Sequence, residues 1–259
     1  MAQATQRELL AARIFLRAVL PVIKVLLTED PAFKKRFAKV NAKVQFLAKN
    51  EPADVGACLV FENGDFRVEQ GICNSPDISF VFRNVSRMNA MFAGKPAIPW
   101  ISGLTKPGLL IKVFSLLMGL MILMPNARPK DPAKRRLKVK MTFYMITTAL
   151  SQYNKGRDPE MVKWTSRQPE RIYQITVDDG IAAYLRVKAG KTKAGRGTYT
   201  KRRPFLHMRF NGVEGAFPIV MNDIDMVTAV RQGHLSVEGS PEYGANIGDF
   251  MMRIQNLIT

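Results

Sequence analysis

Side chains that commonly do chemistry are few in this chain and poorly placed to act together. There are two histidines, His207 and His234. Both fall in short strand-like segments, and neither has a serine or cysteine at a spacing that suggests an activated nucleophile. Strand alternation turns His207 away from the apolar side shared by Leu206 and Met208. Asp223 and Asp225 stand near a helix start, which suits a cap better than an acid–base pair. Glu238 and Glu242 flank the last turn, and Glu242 suits the dipole of the final helix. Gly190-Lys191-Thr192 invites a phosphate loop, but Leu185 occupies the place of that motif's first glycine. The two cysteines, Cys58 and Cys73, offer no metal spacing and no disulfide framework, and they point to a reducing, cytoplasmic setting. The expectation is a non-enzyme with no metal site and no cofactor.

Charge says more. The net charge is +18. Residues 1–50 carry +7, residues 126–140 carry +6 and residues 188–203 carry +7, so these three segments hold the whole excess. Clustered positive charge calls for an anionic partner. Nucleic acid is disfavoured: Tyr199 and Phe205 can stack on bases, but no recognition helix or aromatic platform accompanies them. An anionic membrane surface accounts for both the charge and the greasy segments beside it. Its contacts are expected at Lys134, Arg135 and Arg136, and along the 188–203 loop at Lys191, Lys193, Arg196, Arg202 and Arg203. A peripheral membrane location and further protein partners are compatible with this. No signal peptide is read at the start, because Arg17 and Lys24 break the apolar run from Ile14 to Leu27.

The elements that would position these groups follow from pattern. Residues 5–27 read as a helix capped by Thr5 and Glu8 and kinked at Pro21. A second helix is expected from Pro31 to about Ala48, with Phe33, Phe37, Val40, Val44 and Leu47 at helical spacing. Asn63-Gly64 then marks a hairpin that pairs Phe61 with Phe66 and Leu59 with Val68. This register sets Cys58 opposite Glu69, so no disulfide to Cys73 is expected. A strand follows at 77–83, a short helix ending at Gly94, a short strand ending at Gly103, and the apolar stretch Gly108–Met124. That stretch has one charge, Lys112, and is apolar on every side, so it belongs in a core, in lipid or against a greasy ligand. The second half repeats the order: strands at 181–188 and 204–210, a helix ending at Gly233, a strand ending at Gly239, and a final helix from Pro241 to Ile258. Phe80-Val81-Phe82 corresponds to Met208-Arg209-Phe210. Repeated order of this kind points to an internal duplication. The layout is therefore N-terminal helices at 1–50, a first half at 51–125, a basic linker and helix at 126–169, and a second half at 170–259.

The segments FENGDFRVEQG, PDISFVF, NAMFAGKPAIPWISG, FLHMRF and MVTAVRQGHLSVEGSPE resemble the sterol carrier protein type 2 (SCP-2) family. The resemblance covers most of the chain and implies an α+β fold, with each half a sheet under helices and an apolar tunnel between them. Such domains bind sterols, fatty acids, acyl-CoA or phospholipids without chemistry of their own. The cavity wall is then expected from Phe80, Phe82, Met88, Phe92 and Trp100, and from Phe114, Leu117, Met118 and Met121. Its second-half counterpart is Leu206, Met208, Phe210, Met226, Phe250, Met251 and Ile254. The expected function is binding or transfer of a lipid, sterol or isoprenoid-like molecule, with docking on anionic membranes. The alternatives are an accessory scaffold for membrane enzymes of lipid metabolism and an enzyme acting on a lipid thioester.

Overall fold

Thr5 opens the first helix. In the computed structural model, which describes residues 3–259, its hydroxyl accepts from the Glu8 N–H at 3.2 Å and the Glu8 carboxylate accepts from the Thr5 N–H at 2.8 Å. Helix α1 spans Gln6–Ile14. The backbone loosens into a π turn at Phe15–Val19 and tightens into a 3-10 turn at Leu20–Val22 around Pro21, whose missing N–H interrupts the ladder. Helix α2 follows at Ile23–Glu29 and α3 at Pro31–Phe37, the latter capped by Asp30.

The helix expected from Pro31 to Ala48 ends there. Ala42–Ala48 is strand β1. Lys43 alone among its residues is exposed, so burial on both faces erases the alternation that marks a strand. Helical spacing from Phe33 to Leu47 was coincidence across two elements. Strand β1 pairs antiparallel with β2 (Val55–Glu62) and parallel with β4 (Ile78–Phe82). Strand β3 (Asp65–Gln70) pairs with β2, helix α4 spans Val85–Phe92, and β5 (Trp100–Ser102) pairs with β4. Helix α5 covers Pro107–Leu120 and ends in a 3-10 turn at Met121–Leu123.

Two helices, α6 (Pro132–Lys155) and α7 (Pro159–Ser166), precede the second sheet. Its strands are β6 (Arg171–Val177), β7 (Ile181–Lys188), β8 (Lys191–Arg196) and β9 (Leu206–Phe210). Helices α8 (Gly212–Val220) and α9 (Met226–Arg231), strand β10 (Leu235–Gly239) and helix α10 (Pro241–Ile258) complete the chain. The fold is α+β. It divides into two compact units, Met1–Met121 with Leu257–Thr259, and Ile122–Asn256.

Both sheets are mixed and follow one plan. The first runs β3-β2-β1-β4-β5 and the second β8-β7-β6-β9-β10, each with its central strand parallel to the fourth in line. Details repeat as well. Each long hairpin turns on two residues with positive φ, Asn63-Gly64 and Ala189-Gly190. Each central strand buries a glutamine that ties down the loop after the third strand. Gln45 donates from Nε2 to the carbonyls of Phe46, Ala57 and Gly71 and accepts the Cys73 N–H. Gln174 donates to Ile175, Ala183 and Gly197 and accepts the Tyr199 N–H at 2.9 Å.

The hairpin register is the expected one, with Phe61 opposite Phe66, Leu59 opposite Val68 and Cys58 opposite Glu69. Cys58 and Cys73 nevertheless form a disulfide, with Cα atoms 5.6 Å apart. Hairpin register fixes only the cross-strand neighbours within β2 and β3. Cys73 lies past the end of β3, where Gly71, at φ 101°, turns the chain back toward Gln45, and Gln45 is the other neighbour of Cys58. Cysteine usage therefore no longer argues for a reducing compartment. In the second unit Tyr184 and Tyr199 occupy the corresponding places, their rings 5.0 Å apart and near perpendicular.

Candidate functional site

The candidate site in each unit is the apolar sheet face beneath the helices. In the first unit this face carries a continuous aromatic row. Phe46 stacks on Phe80 at 4.9 Å, Phe92 lies 5.4 Å from both Phe46 and Phe15, and Phe114 meets Phe80 edge-on at 5.7 Å. Phe80, Phe82 and Met88 are fully buried, and Phe92 is half-buried. The row is packed ring against ring, so these side chains fill the space between sheet and helices. The other expected wall residues of this unit part company with them. Trp100, Phe114, Met118 and Met121 are exposed, and Leu117 is half-buried. Trp100 sits opposite Val81 on the sheet's other side.

In the second unit Leu206, Met208, Phe210, Phe250 and Ile254 are buried, and Met226 and Met251 are half-buried. Phe210 packs on Phe143 of α6 at 4.9 Å. A cavity of 330 Å³ opens between α7 and α10, lined by Trp164, Gln168, Tyr243, Asn246 and Phe250 with a charged rim. That volume is at the lower end for small-molecule sites, roughly 300–1,000 Å³. Trp164 lies 5.4 Å from both Phe250 and Tyr173, and its buried Nε1 has no hydrogen-bond partner. Below it the Tyr173 hydroxyl donates to the buried Gln168 side chain, and burial pushes the Tyr173 phenol well above its ordinary range. The Arg171 guanidinium lies against the rings of both Phe205 and Tyr243, at 4.0 and 4.3 Å. Trp164, Tyr243 and Arg171 carried no periodic signal in the sequence. They come together because α7, β6 and the start of α10 converge.

His207 points away from this cavity. It is on the sheet side opposite Leu206 and Met208, with Nε2 2.8 Å from the Thr176 hydroxyl. Burial holds its imidazole below the usual histidine range, and neighbouring Arg209 pushes the same way. Asp225 caps α9 by accepting the Thr228 N–H, while Asp223 pairs with Arg128 at 2.7 Å. Among the described residues, no group of three or more His, Cys, Asp or Glu side chains could hold a metal ion.

The basic residues do not form one patch. Arg135 pairs with Glu214 at 2.7 Å and lies over the Phe217 ring, and Arg136 has a buried Nη1 without a partner, while Lys134 is exposed. Lys191 and Lys193 are exposed on β8, but Arg196 alternates to the other face, its guanidinium 5.0 Å over Tyr144. Arg202 approaches Glu170, which also holds Arg186 at 2.7 Å, and Arg203 is exposed. A buried lysine is the unforeseen cation here. Lys138 is 2% exposed and donates to the carbonyls of Ile122 and Met124, each at 2.9 Å. Burial lowers its pKa to about 8, with Arg128 contributing. No helix of the described residues is long and apolar enough to cross a membrane.

No protein-family description matches the chain, and no curated protein does. Among solved structures, the chain is similar to a UbiJ-SCP2 ubiquinone synthesis protein, at 13% identity and a TM-score of 0.31, covering 48% of this chain and 97% of that one. It is also similar to a double mutant of the sec-alkyl sulfatase PisA1, at 11% identity and a TM-score of 0.28, covering 56% of this chain and 28% of that one. The stereoselective inverting sec-alkylsulfatase Pisa1 from Pseudomonas sp. gives 13% identity and a TM-score of 0.25 over the same shares. Scores this low bear on neither ligand nor activity.

Proposed function

We propose that the chain is a non-catalytic carrier of apolar molecules, sterol-, acyl- or isoprenoid-like, made of two tandem SCP-2-like repeats. One observation carries the reading: the same five-strand order occurs twice, each time with an apolar sheet face under helices. The second unit adds the cavity between α7 and α10. There the aromatic floor would take the apolar body of a ligand, and the charged rim would face its polar end. Apolar burial would drive entry, since it is the dominant favourable term in such association. The position of His207 on the far side of the sheet supports the non-catalytic reading.

The filled aromatic row of the first unit favours a second reading for that half. It would present the carrier to a membrane or a protein rather than hold a ligand. Native mass spectrometry with organic extraction of the purified protein, together with titration of a fluorescent fatty acid, tests the carrier reading. Co-purifying lipid or saturable uptake is expected. Neither appearing would overturn it.

A further inference from the structure

Helix α5 has two apolar sides, and packing uses one of them. Val113, Leu116 and Leu120 are buried, and Gly119 seats the Phe33 ring where a Cβ would stand. Ile111, Phe114, Met118 and Met121 share the other side, an arc of about 80° at 100° per residue. All four are exposed, Ile111 by 69% and Met118 by 64%. Leu104 is exposed in the turn that leads into α5.

We propose that this outer side of α5 docks the first unit on an anionic lipid bilayer. The proposal rests on the carrier reading and names the surface from which such a carrier would load. Charge selects the partner. From Ile78 to Lys130 there is no acidic residue, against seven Lys and Arg. Lys112 lies within α5, while Lys106 at its N-cap is paired with Asp77. An apolar stripe bordered by an excess of cations matches the boundary between acyl chains and phosphate head groups. A second copy of the chain fits less well, because a two-fold contact would set this positive border against itself. At 14 residues the helix is too short to cross the bilayer, so it lies in the interface plane. At its inner edge Phe114 touches Phe80, which joins the docking side to the aromatic row.

The full-length protein should float with vesicles of equal parts phosphatidylcholine and phosphatidylglycerol, and much less with phosphatidylcholine alone. Ile111→Asp combined with Lys112→Glu should lower the partition coefficient on the order of tenfold or more, while far-UV circular dichroism and fatty-acid uptake stay unchanged. Should that pair fail to fold, Ile111→Ser serves in its place. Absence of vesicle binding by the wild type would overturn the proposal, as would a variant that binds equally well. So would a wild-type dimer in sedimentation equilibrium that the variant dissolves, since the face would then belong to a second copy. Docking without fatty-acid uptake would sink the carrier reading and leave the docking surface standing. Uptake without docking would do the reverse.

Discussion

Replacing Gln174 by alanine should loosen one loop of the second unit and little else. The side chain is fully buried on the central strand. Its amide reaches the Ile175 and Ala183 carbonyls at 3.0 and 2.9 Å and the Gly197 carbonyl at 3.4 Å. Its carbonyl is the acceptor for the Tyr199 N–H. An orphaned buried N–H costs about 1–3 kcal/mol, and the lost loop-to-strand bond adds to it. Local opening of residues 197–205 should become easier by about 2–3 kcal/mol, so exchange of the Tyr199 amide should accelerate on the order of a hundredfold.

Gln45→Ala removes the same bonds in the first unit, but there the loop is also tied by Cys58–Cys73, across a separation of 15 residues. A cross-link closing a loop of that size is worth about 3 kcal/mol against chain opening. The corresponding Cys73 amide should therefore stay protected in Gln45→Ala until a reductant is added, and then exchange like its counterpart. Hydrogen exchange by mass spectrometry, on both variants with and without reductant, reads all four cases. Unchanged exchange at Tyr199 in Gln174→Ala would refute the strap. Equal loosening in Gln45→Ala without reductant would refute the division of labour between glutamine and disulfide.

Lys138 should make stability rise with pH. Its folded pKa of about 8 lies below the ordinary 10.5, so between those values the unfolded chain holds a proton that the folded chain has released. Unfolding should therefore become harder across that window by at most about 3 kcal/mol, and urea midpoints of Lys138→Met should lose this slope. Ala189 holds φ 44° at the hairpin position where the first unit has Asn63 at 51°. Ala189→Asn should stabilise by about 1 kcal/mol in chemical denaturation, since asparagine tolerates the left-handed region. At Gly239, with φ 114°, a Cβ would collide with the Phe205 carbonyl. Gly239→Ala should cost at least about 2 kcal/mol in the same assay, and Gly103→Ala a similar amount.

The parts of the fold legible in the sequence were those with local rules. Asn63-Gly64 and the alternation around it fixed one register because turn chemistry and burial agreed. Gly94 and Gly233, and likewise Gly103 and Gly239, matched because each needs a positive φ at an element's end. Strands β1 and β6 left no such mark, being buried on both faces, and β8 hid behind lysines at the sheet's edge. Gln45 and Gln174 gave no signal at all, since a buried amide has no period. At the candidate site, alternation identified Phe80, Phe82, Leu206, Met208 and Phe210 as inward-facing. It could not tell a cavity wall from a filled core, because that depends on which rings meet across the gap.

Helices α5 and α10 follow the last strand of their sheets in the same place, so one plan can be read with two surfaces. On α10 the buried side is Ile247, Phe250 and Ile254, and the outward side carries Glu242, Asp249 and Arg253. That is the ordinary economy of a helix that closes a core and meets water. On α5 the buried side is equally apolar, yet the outward side keeps Ile111, Phe114 and Met118. Phe114 also meets Phe80, but core packing places no demand on Ile111 and Met118, and solubility argues against them. Since the fold requires neither of these two, their chemistry has to answer to something outside the unit. The excess of cations from Ile78 to Lys130, with Lys106 and Arg128 paired to acids from outside that segment, fits a surface both apolar and negative.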